Sequence, residues 1–203
     1  MELGNWTFRV SISDVDEARR VDESPSEYVV RLADAKARAA AANALPHQYV
    51  VAADTAVVDG AEVLGKPADA REAVQMLRRL RGRSHQVYSG LAVLRMWDGR
   101  MLTDLCVTDV PMRDYSNAEI QLYVDSGDPL DKAGGYAIQH AGFRPVQHPG
   151  GCYASVMGMP LCHLLRLLGR MNFPAQPDLP IRCQTYLNYA CPVSGAILRD
   201  EQA

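Results

Sequence analysis

The strongest constraint on the fold is an apolar run over residues 49–58, which is interrupted only by Asp54 and Thr55 and is followed by Asp59–Gly60. Such a run is typical of a strand buried in a core, and the Asp-Gly pair after it predicts a hairpin. A three-residue loop would place Asp54 opposite Lys66 on the returning strand, whereas a two-residue loop would put Lys66 on the other face. Because a buried carboxylate is costly unless it is paired or functional, Asp54 is the first candidate site residue. The alternative is an aspartate that caps a turn at the end of a strand.

Helical patterns alternate with strand patterns along the chain, which indicates an α/β fold. Ser24, Pro25 and Glu27 form a capping-box signature and predict a helix to about Ala44, with Lys36 on or beside its buried stripe. Further strands are predicted over residues 6–13, 62–66, 85–96 and 101–112, and further helices over 69–82, 116–127 and 160–168. Residues 170–203 contain four prolines and little periodicity, so we expect an irregular C-terminal extension outside the main domain of residues 1–169.

Composition excludes several classes of protein. A net charge of −3 leaves no broad basic field for a nucleic-acid backbone, so we expect no nucleic-acid partner. No apolar run approaches the roughly 18 residues of a membrane span, and the first residues lack a secretory signal, so we expect a cytoplasmic location and no membrane contact. The five cysteines form no CxxC pair, which favours reduced thiols, although Cys183 and Cys191 are a possible pair.

Lysines are rare in this chain: Lys36, Lys66 and Lys132 are the only ones among 21 basic residues. A carboxylate beside ammonium groups suits polyphosphate chemistry, because the carboxylate holds a divalent cation or activates water while lysines neutralise phosphoryl charge. Asp54 is the candidate carboxylate and Glu17 a second metal ligand. The competing interpretations are a solvated hairpin residue for Lys66 and a solvated turn acid for Glu17.

Taken together, six segments give the sequence a specific resemblance. They are DVDE (14–17), EYVVRLADAKA (27–37), AADTAVV (52–58), LGKPADAREAVQMLRRLRGRSHQVYSG (64–90), EIQLYVDSGDPLDKAGGYAIQ (119–139) and VMGMPL (156–161). In this order they resemble the Maf family of nucleoside triphosphate pyrophosphatases, over residues 6–169. The resemblance implies a single α/β domain with a mixed, twisted sheet flanked by helices, a homodimer, and hydrolysis between the α- and β-phosphates with Mg²⁺ or Mn²⁺.

The resemblance also implies residue roles. Asp54 would be the catalytic carboxylate and Glu17 an acidic metal-site or water-activating residue, so that both would hold the divalent cation. Lys36 and Lys66 would bind the phosphates, and Gln139 would recognise the base. The YAIQ segment is similar to the branch that prefers dTTP and UTP, which disfavours a purine-preferring inosine-triphosphate-type hydrolase.

Family members carry a serine-x-x-arginine-arginine loop upstream of the position of Met1. We therefore expect this chain to be an N-terminally truncated form of the domain, less stable and less active than a form extended upstream. The alternative function is a non-catalytic nucleotide-binding or cell-division regulatory protein that has lost its phosphate loop.

Overall fold

A four-stranded sheet organises the computed structural model, which describes residues 2–148, 150–174 and 176–199. The strands are β1 (Tyr49–Asp59), β2 (Glu62–Leu64), β3 (Ser84–Arg95) and β4 (Arg100–Pro111). The helices are α1 (Pro25–Ala41), α2 (Ala70–Leu80), α3 (Asn117–Asp125), α4 (Tyr153–Val156), α5 (Leu161–Arg170), α6 (Leu179–Leu187) and α7 (Ser194–Leu198), with 3-10 turns at Glu2–Gly4, Asp128–Asp131 and Ala133–Gly135.

The sheet has the order β2-β1-β3-β4, and each neighbouring pair is antiparallel. The α/β class with one sheet flanked by helices is confirmed, but the described strands do not form the mixed sheet that the resemblance implied. The reason is connectivity. Hairpins join β1 to β2 and β3 to β4, and α2 returns the chain so that β3 runs antiparallel to β1.

The first hairpin decides between the two loop lengths. Asp59 pairs with Glu62, so the loop has two residues, and Gly60 takes a φ of +66° that suits such a turn. The three-residue register, with Asp54 opposite Lys66, is therefore wrong. β2 ends at Leu64, and Lys66 follows the strand.

Helix α1 covers one face of the sheet. Its predicted capping box is confirmed, because the Ser24 side chain accepts from the Glu27 N–H and the Glu27 carboxylate accepts from the Ser24 N–H. Small residues line the contact between the helix and the sheet. They include Ala33, Ala37, Ala52 and Ala92. Small side chains let the backbones of helix and sheet approach closely.

Helices α2, α3, α4 and α5 are associated with the opposite face, where two large apolar clusters lie. The predicted N-cap of α2 is confirmed, since the Asp69 carboxylate accepts from the Glu72 N–H. No helix among the described residues is long and apolar enough to cross a membrane.

Two predicted elements differ from the structure. Residues 6–13 run irregularly rather than as a strand, and Phe8, Val10 and Ile12 are exposed, because an alternating pattern forms a strand only where a partner accepts its hydrogen bonds. The C-terminal extension is not irregular but forms α6 and α7. Leu179 and Ile197 from these helices are each 1% exposed. Burial of these apolar residues explains why α6 and α7 form despite the prolines. The boundary between the main domain and the C-terminal extension at residue 170 stays a prediction.

Candidate active site

Three of the five predicted site residues meet where α1 crosses β1. The Lys36 Nζ lies 2.6 Å from Asp54 Oδ1 and 2.7 Å from Glu17 Oε1, so one ammonium group holds two carboxylates. The side chain of Asp54 is 11% exposed, that of Lys36 20% and that of Glu17 59%. The cluster therefore extends from a nearly buried carboxylate to one that solvent reaches.

Local packing explains why Lys36 reaches Asp54. Asp54 lies on the α1 face of the sheet and pairs with Gly90 on β3. A Cβ atom at Gly90 would lie 2.4 Å from the Val29 carbonyl oxygen, so the helix backbone touches the sheet at this glycine. The absent side chain lets α1 lie close enough for Lys36, two turns further along the helix, to reach the carboxylate.

Glu17 comes from an irregular segment that α1 anchors. The Tyr28 hydroxyl donates to the Glu17 carbonyl oxygen at 3.0 Å, and an Arg31 N–H donates to the Ala18 carbonyl oxygen at 3.1 Å. Arg31 also pairs with Glu23, which is 8% exposed. Sequence analysis did not single out Tyr28 or Arg31, although both lie within the EYVVRLADAKA segment.

Burial and charge shift the acid–base properties of this cluster. Desolvation raises the pKa of Asp54, and the hydrogen bond and charge of Lys36 offset that effect only in part, while Glu17 adds to it. Burial acts to lower the pKa of Lys36, but its hydrogen bonds to Asp54 and Glu17 outweigh burial and leave the pKa raised. Lys36 therefore stays charged, and Asp54 is a stronger base than an exposed aspartate.

The two other predicted site residues lie beside a separate cavity of about 310 Å³. Lys66 and Gln139 both line it, together with Thr55 and Lys132. Thr55 follows Asp54 on β1 and faces the opposite side of the sheet, because successive side chains on a strand alternate. The structure thus groups Glu17 with Lys36 and Asp54, and Lys66 with Gln139, on the two sides of one strand.

Strand β1 is an open edge at this point. Its pairing with β2 covers only Val57, Val58 and Asp59, and no described strand pairs with β1 at Asp54 on that side. No protein strand within the described residues therefore separates the carboxylate cluster from the cavity along this edge.

Buried hydroxyl groups support the cavity wall. Thr55 Oγ1 lies 2.8 Å from Ser89 Oγ, Ser89 donates to the Ser155 carbonyl oxygen at 2.7 Å, and Ser155 Oγ lies 2.7 Å from Thr108 Oγ1. Sequence analysis assigned no role to Thr55 or Lys132. The available signals were the interruption of an apolar run by Thr55 and the charge of Lys132 within DKAGGY.

The donor set fits a divalent cation that is shared with a substrate. Within the described part of the chain, no group of three His, Cys, Asp or Glu residues is placed to hold a metal ion. Mg²⁺ commonly uses only one or two carboxylates and completes its shell with waters and substrate phosphates. Asp54 and Glu17 supply two such carboxylates on one ammonium group.

Comparison with known proteins gives a consistent result. The family model described as "Maf-like protein" matches residues 1–171. A dTTP/UTP pyrophosphatase of Myxococcus xanthus is 46% identical over 82% of this chain and 83% of its own length. Proteins of the same name from Anaeromyxobacter dehalogenans and Escherichia coli O157:H7 are 45% and 44% identical, over 83% and 82% of this chain and 85% and 83% of their own lengths.

Proposed function

The chain belongs to the Maf family, and from this premise we propose that it hydrolyses dTTP and UTP to the monophosphate and pyrophosphate, and so removes unwanted pyrimidine nucleotides from the pool. The observation that carries the proposal is the bridging of Asp54 and Glu17 by Lys36 at the open edge of β1, across the strand from a cavity that Lys66 lines. Phosphoanhydride hydrolysis requires a group that accepts a proton from water and positive charge beside the phosphates. The nearly buried Asp54 carboxylate can supply the first, and the lysine ammonium groups can supply the second.

The proposed roles follow from position and charge. Asp54 accepts the proton of the water that attacks the α-phosphorus, since burial has raised its pKa. Lys36 orients this carboxylate through its 2.6 Å hydrogen bond. Lys66 neutralises charge on the phosphates as the bond to the departing pyrophosphate breaks, and Gln139, exposed at the cavity, contacts the base.

A divalent cation, Mg²⁺ or Mn²⁺, is part of the proposal. Asp54 and Glu17 would hold it, and when bound it would supply positive charge to the phosphoryl oxygens. The support is the paired oxygen donors, one of them exposed to solvent, rather than a closed metal cage.

A homodimer and a cytoplasmic location complete the proposal. The homodimer rests on the family resemblance, and the location on the presence of nucleoside triphosphates in the cytoplasm. Sedimentation of the purified protein tests the dimer: a monomer at micromolar concentration would contradict it.

The non-catalytic alternative is not favoured, because these curated relatives bear the names of enzymes. The test is a pyrophosphate-release assay with Mg²⁺ across dTTP, UTP, dCTP, ATP and GTP. We expect preferential turnover of dTTP and UTP by the wild type and by Asp34→Asn, but not by Asp54→Asn. Asp34 is a suitable control because its carboxylate pairs with Arg38 on the outer surface of α1. Nucleotide binding without turnover of any triphosphate would instead support the regulatory protein.

A further inference from the structure

Four cysteines from distant parts of the sequence line one narrow apolar cavity between the main domain and the C-terminal helices. They are Cys152, Cys162, Cys183 and Cys191. Cys152 lies just before α4, whereas Cys191 lies in the turn between α6 and α7. All five cysteines of the chain are free thiols. The fifth, Cys106 on β4, lies in the apolar cluster that also contains Cys152 and Cys183.

Cys152 is the central thiol of this group. It lies in the same apolar cluster as Cys106, and it lines the same narrow cavity as Cys191. The sequence suggested Cys183 as the partner of Cys191, but the turn that carries Cys191 packs against the loop of Cys152, since the rings of Tyr153 and Tyr189 lie 5.6 Å apart. A buried thiol with a neighbour on each side can pair with either, so accessibility and reactivity decide between them.

Accessibility favours Cys191. It is only partly buried, while the other four cysteines are buried. The neighbouring Cys152 thiol lowers the pKa of Cys191, burial opposes this, and the N–H groups of Val193 and Ser194 lower it further. Cys191 is therefore the thiol that solvent reaches and that forms a thiolate most readily among those on the cavity wall.

Cys106 is held by other partners. Its Sγ lies 3.9 Å from Thr108 Oγ1, and on the same strand Asp104 Oδ2 lies 3.1 Å from His163 Nδ1 within a network that Arg166 also joins. Cys106 is fixed on a central part of the β3–β4 hairpin, whereas Cys191 lies in a short connection between helices. The turn at Cys191 can move toward Cys152 more easily than a paired strand can.

We propose that Cys152 and Cys191 are a reversible redox site, which closes to a disulfide and ties the C-terminal helices to the main domain. The oxidant is a low-molecular-weight disulfide. The Cys191 thiolate attacks one of its sulfurs, forming a mixed disulfide and releasing one thiolate. The Cys152 thiol then loses its proton to solvent and attacks the Cys191 sulfur, which forms the Cys152–Cys191 bond and releases the second thiolate.

The position of the site gives the bond a structural consequence. The Tyr189 hydroxyl donates to the Gly151 carbonyl oxygen at 2.8 Å, so the extension already contacts the loop that carries Cys152. Helix α4 follows Cys152 and leads to Met157 and Gly158, which line the cavity of Lys66 and Gln139. The disulfide would therefore fix a segment outside the family match against an element that borders the proposed nucleotide site.

A structural zinc ion on the cysteines is the competing chemistry. Within the residues that the structure describes, no three Cys, His, Asp or Glu side chains are placed to bind a metal, which favours the disulfide.

The experiment treats the full-length protein with oxidised glutathione in the presence of a chelator, counts thiols after denaturation, and maps linked peptides without reduction. We expect the wild type to fall from five thiols to three, with a Cys152–Cys191 peptide that dithiothreitol cleaves. Cys183→Ser and Cys162→Ser are matched controls from the same cavity, and each should fall from four thiols to two with the same linkage.

Two variants test the order of the steps. Cys152→Ser should trap one glutathione on Cys191, and Cys191→Ser should retain all four of its thiols. The proposal is overturned if the wild type keeps five thiols, if the linked peptide joins another pair, or if a stoichiometric zinc ion accounts for thiol protection before chelation. Circular dichroism of each variant confirms that it is folded before treatment.

Discussion

Replacing Gly90 by alanine tests whether close contact between α1 and the sheet builds the proposed site. The new Cβ would lie 2.4 Å from the Val29 carbonyl oxygen and 2.5 Å from its carbonyl carbon, whereas ordinary contact begins at 3.4 Å. The obstacle is helix backbone, which no rotamer change can relieve. Helix α1 must therefore move about 1 Å away from β3, the difference between 3.4 and 2.4 Å.

The displacement has two expected effects. Overpacking of this kind costs about 1–3 kcal/mol, and for a chain of this length each kcal/mol lowers the melting temperature by roughly 2–4 °C. We expect a decrease of about 6 °C. Because Gly90 pairs with Asp54 and α1 carries Lys36, the same displacement disturbs their 2.6 Å contact. Misplacement of a catalytic group by about 1 Å can lower the rate on the order of 100-fold. We therefore expect turnover to fall by about 10- to 100-fold.

The assays are differential scanning calorimetry and pyrophosphate release, with Gly169→Ala as the matched control. Gly169 is an exposed residue of α5, and a Cβ there would meet nothing within 4 Å. Alanine should therefore be neutral or stabilise by about 0.5–1 kcal/mol. If Gly90→Ala has the same melting temperature as the wild type and keeps full turnover, close packing of α1 does not position the site.

Three further predictions concern single groups. Asp54→Asn should have a melting temperature close to that of the wild type, because burial already disfavours the charged form, and it should lose about 10²- to 10⁴-fold in turnover. A large loss of stability with activity retained per folded molecule would show that Asp54 is structural. Lys66→Ala should raise KM and lower kcat together in steady-state assays, since its ammonium contacts phosphates before and during reaction; an unchanged profile would leave Lys66 a solvated residue. Urea unfolding should show lower stability at pH 4 than at pH 6.5. Burial lowers the pKa of His85 to about 4, so stability falls as pH drops from 6.5 toward 4. The shift from 6.5 to about 4 corresponds to a loss of up to about 3 kcal/mol. A flat profile between pH 4 and pH 6.5 would refute this shift.

Local sequence signals were sufficient for most of the helices and strands. The capping box at Ser24 and Glu27 and the N-cap at Asp69 predicted where α1 and α2 begin, because these bonds join residues three apart in the chain. The same kind of reasoning singled out Asp54, since an ionised group in an apolar run needs a partner wherever that strand lies. It also placed Lys36 on the buried side of its helix.

Long-range contacts decided the rest. The first hairpin loop has two residues rather than three, so Lys66 does not lie opposite Asp54. The difference matters because strand side chains alternate, and a change of register by one residue reverses the face on which a side chain lies. The meeting of Glu17 with Lys36 depends on how an irregular segment packs against α1, and the grouping of the cysteines depends on how α6 and α7 fold back onto the core. Neither contact leaves a periodic pattern in the sequence, since each forms between segments that are brought together only when apolar surface is buried.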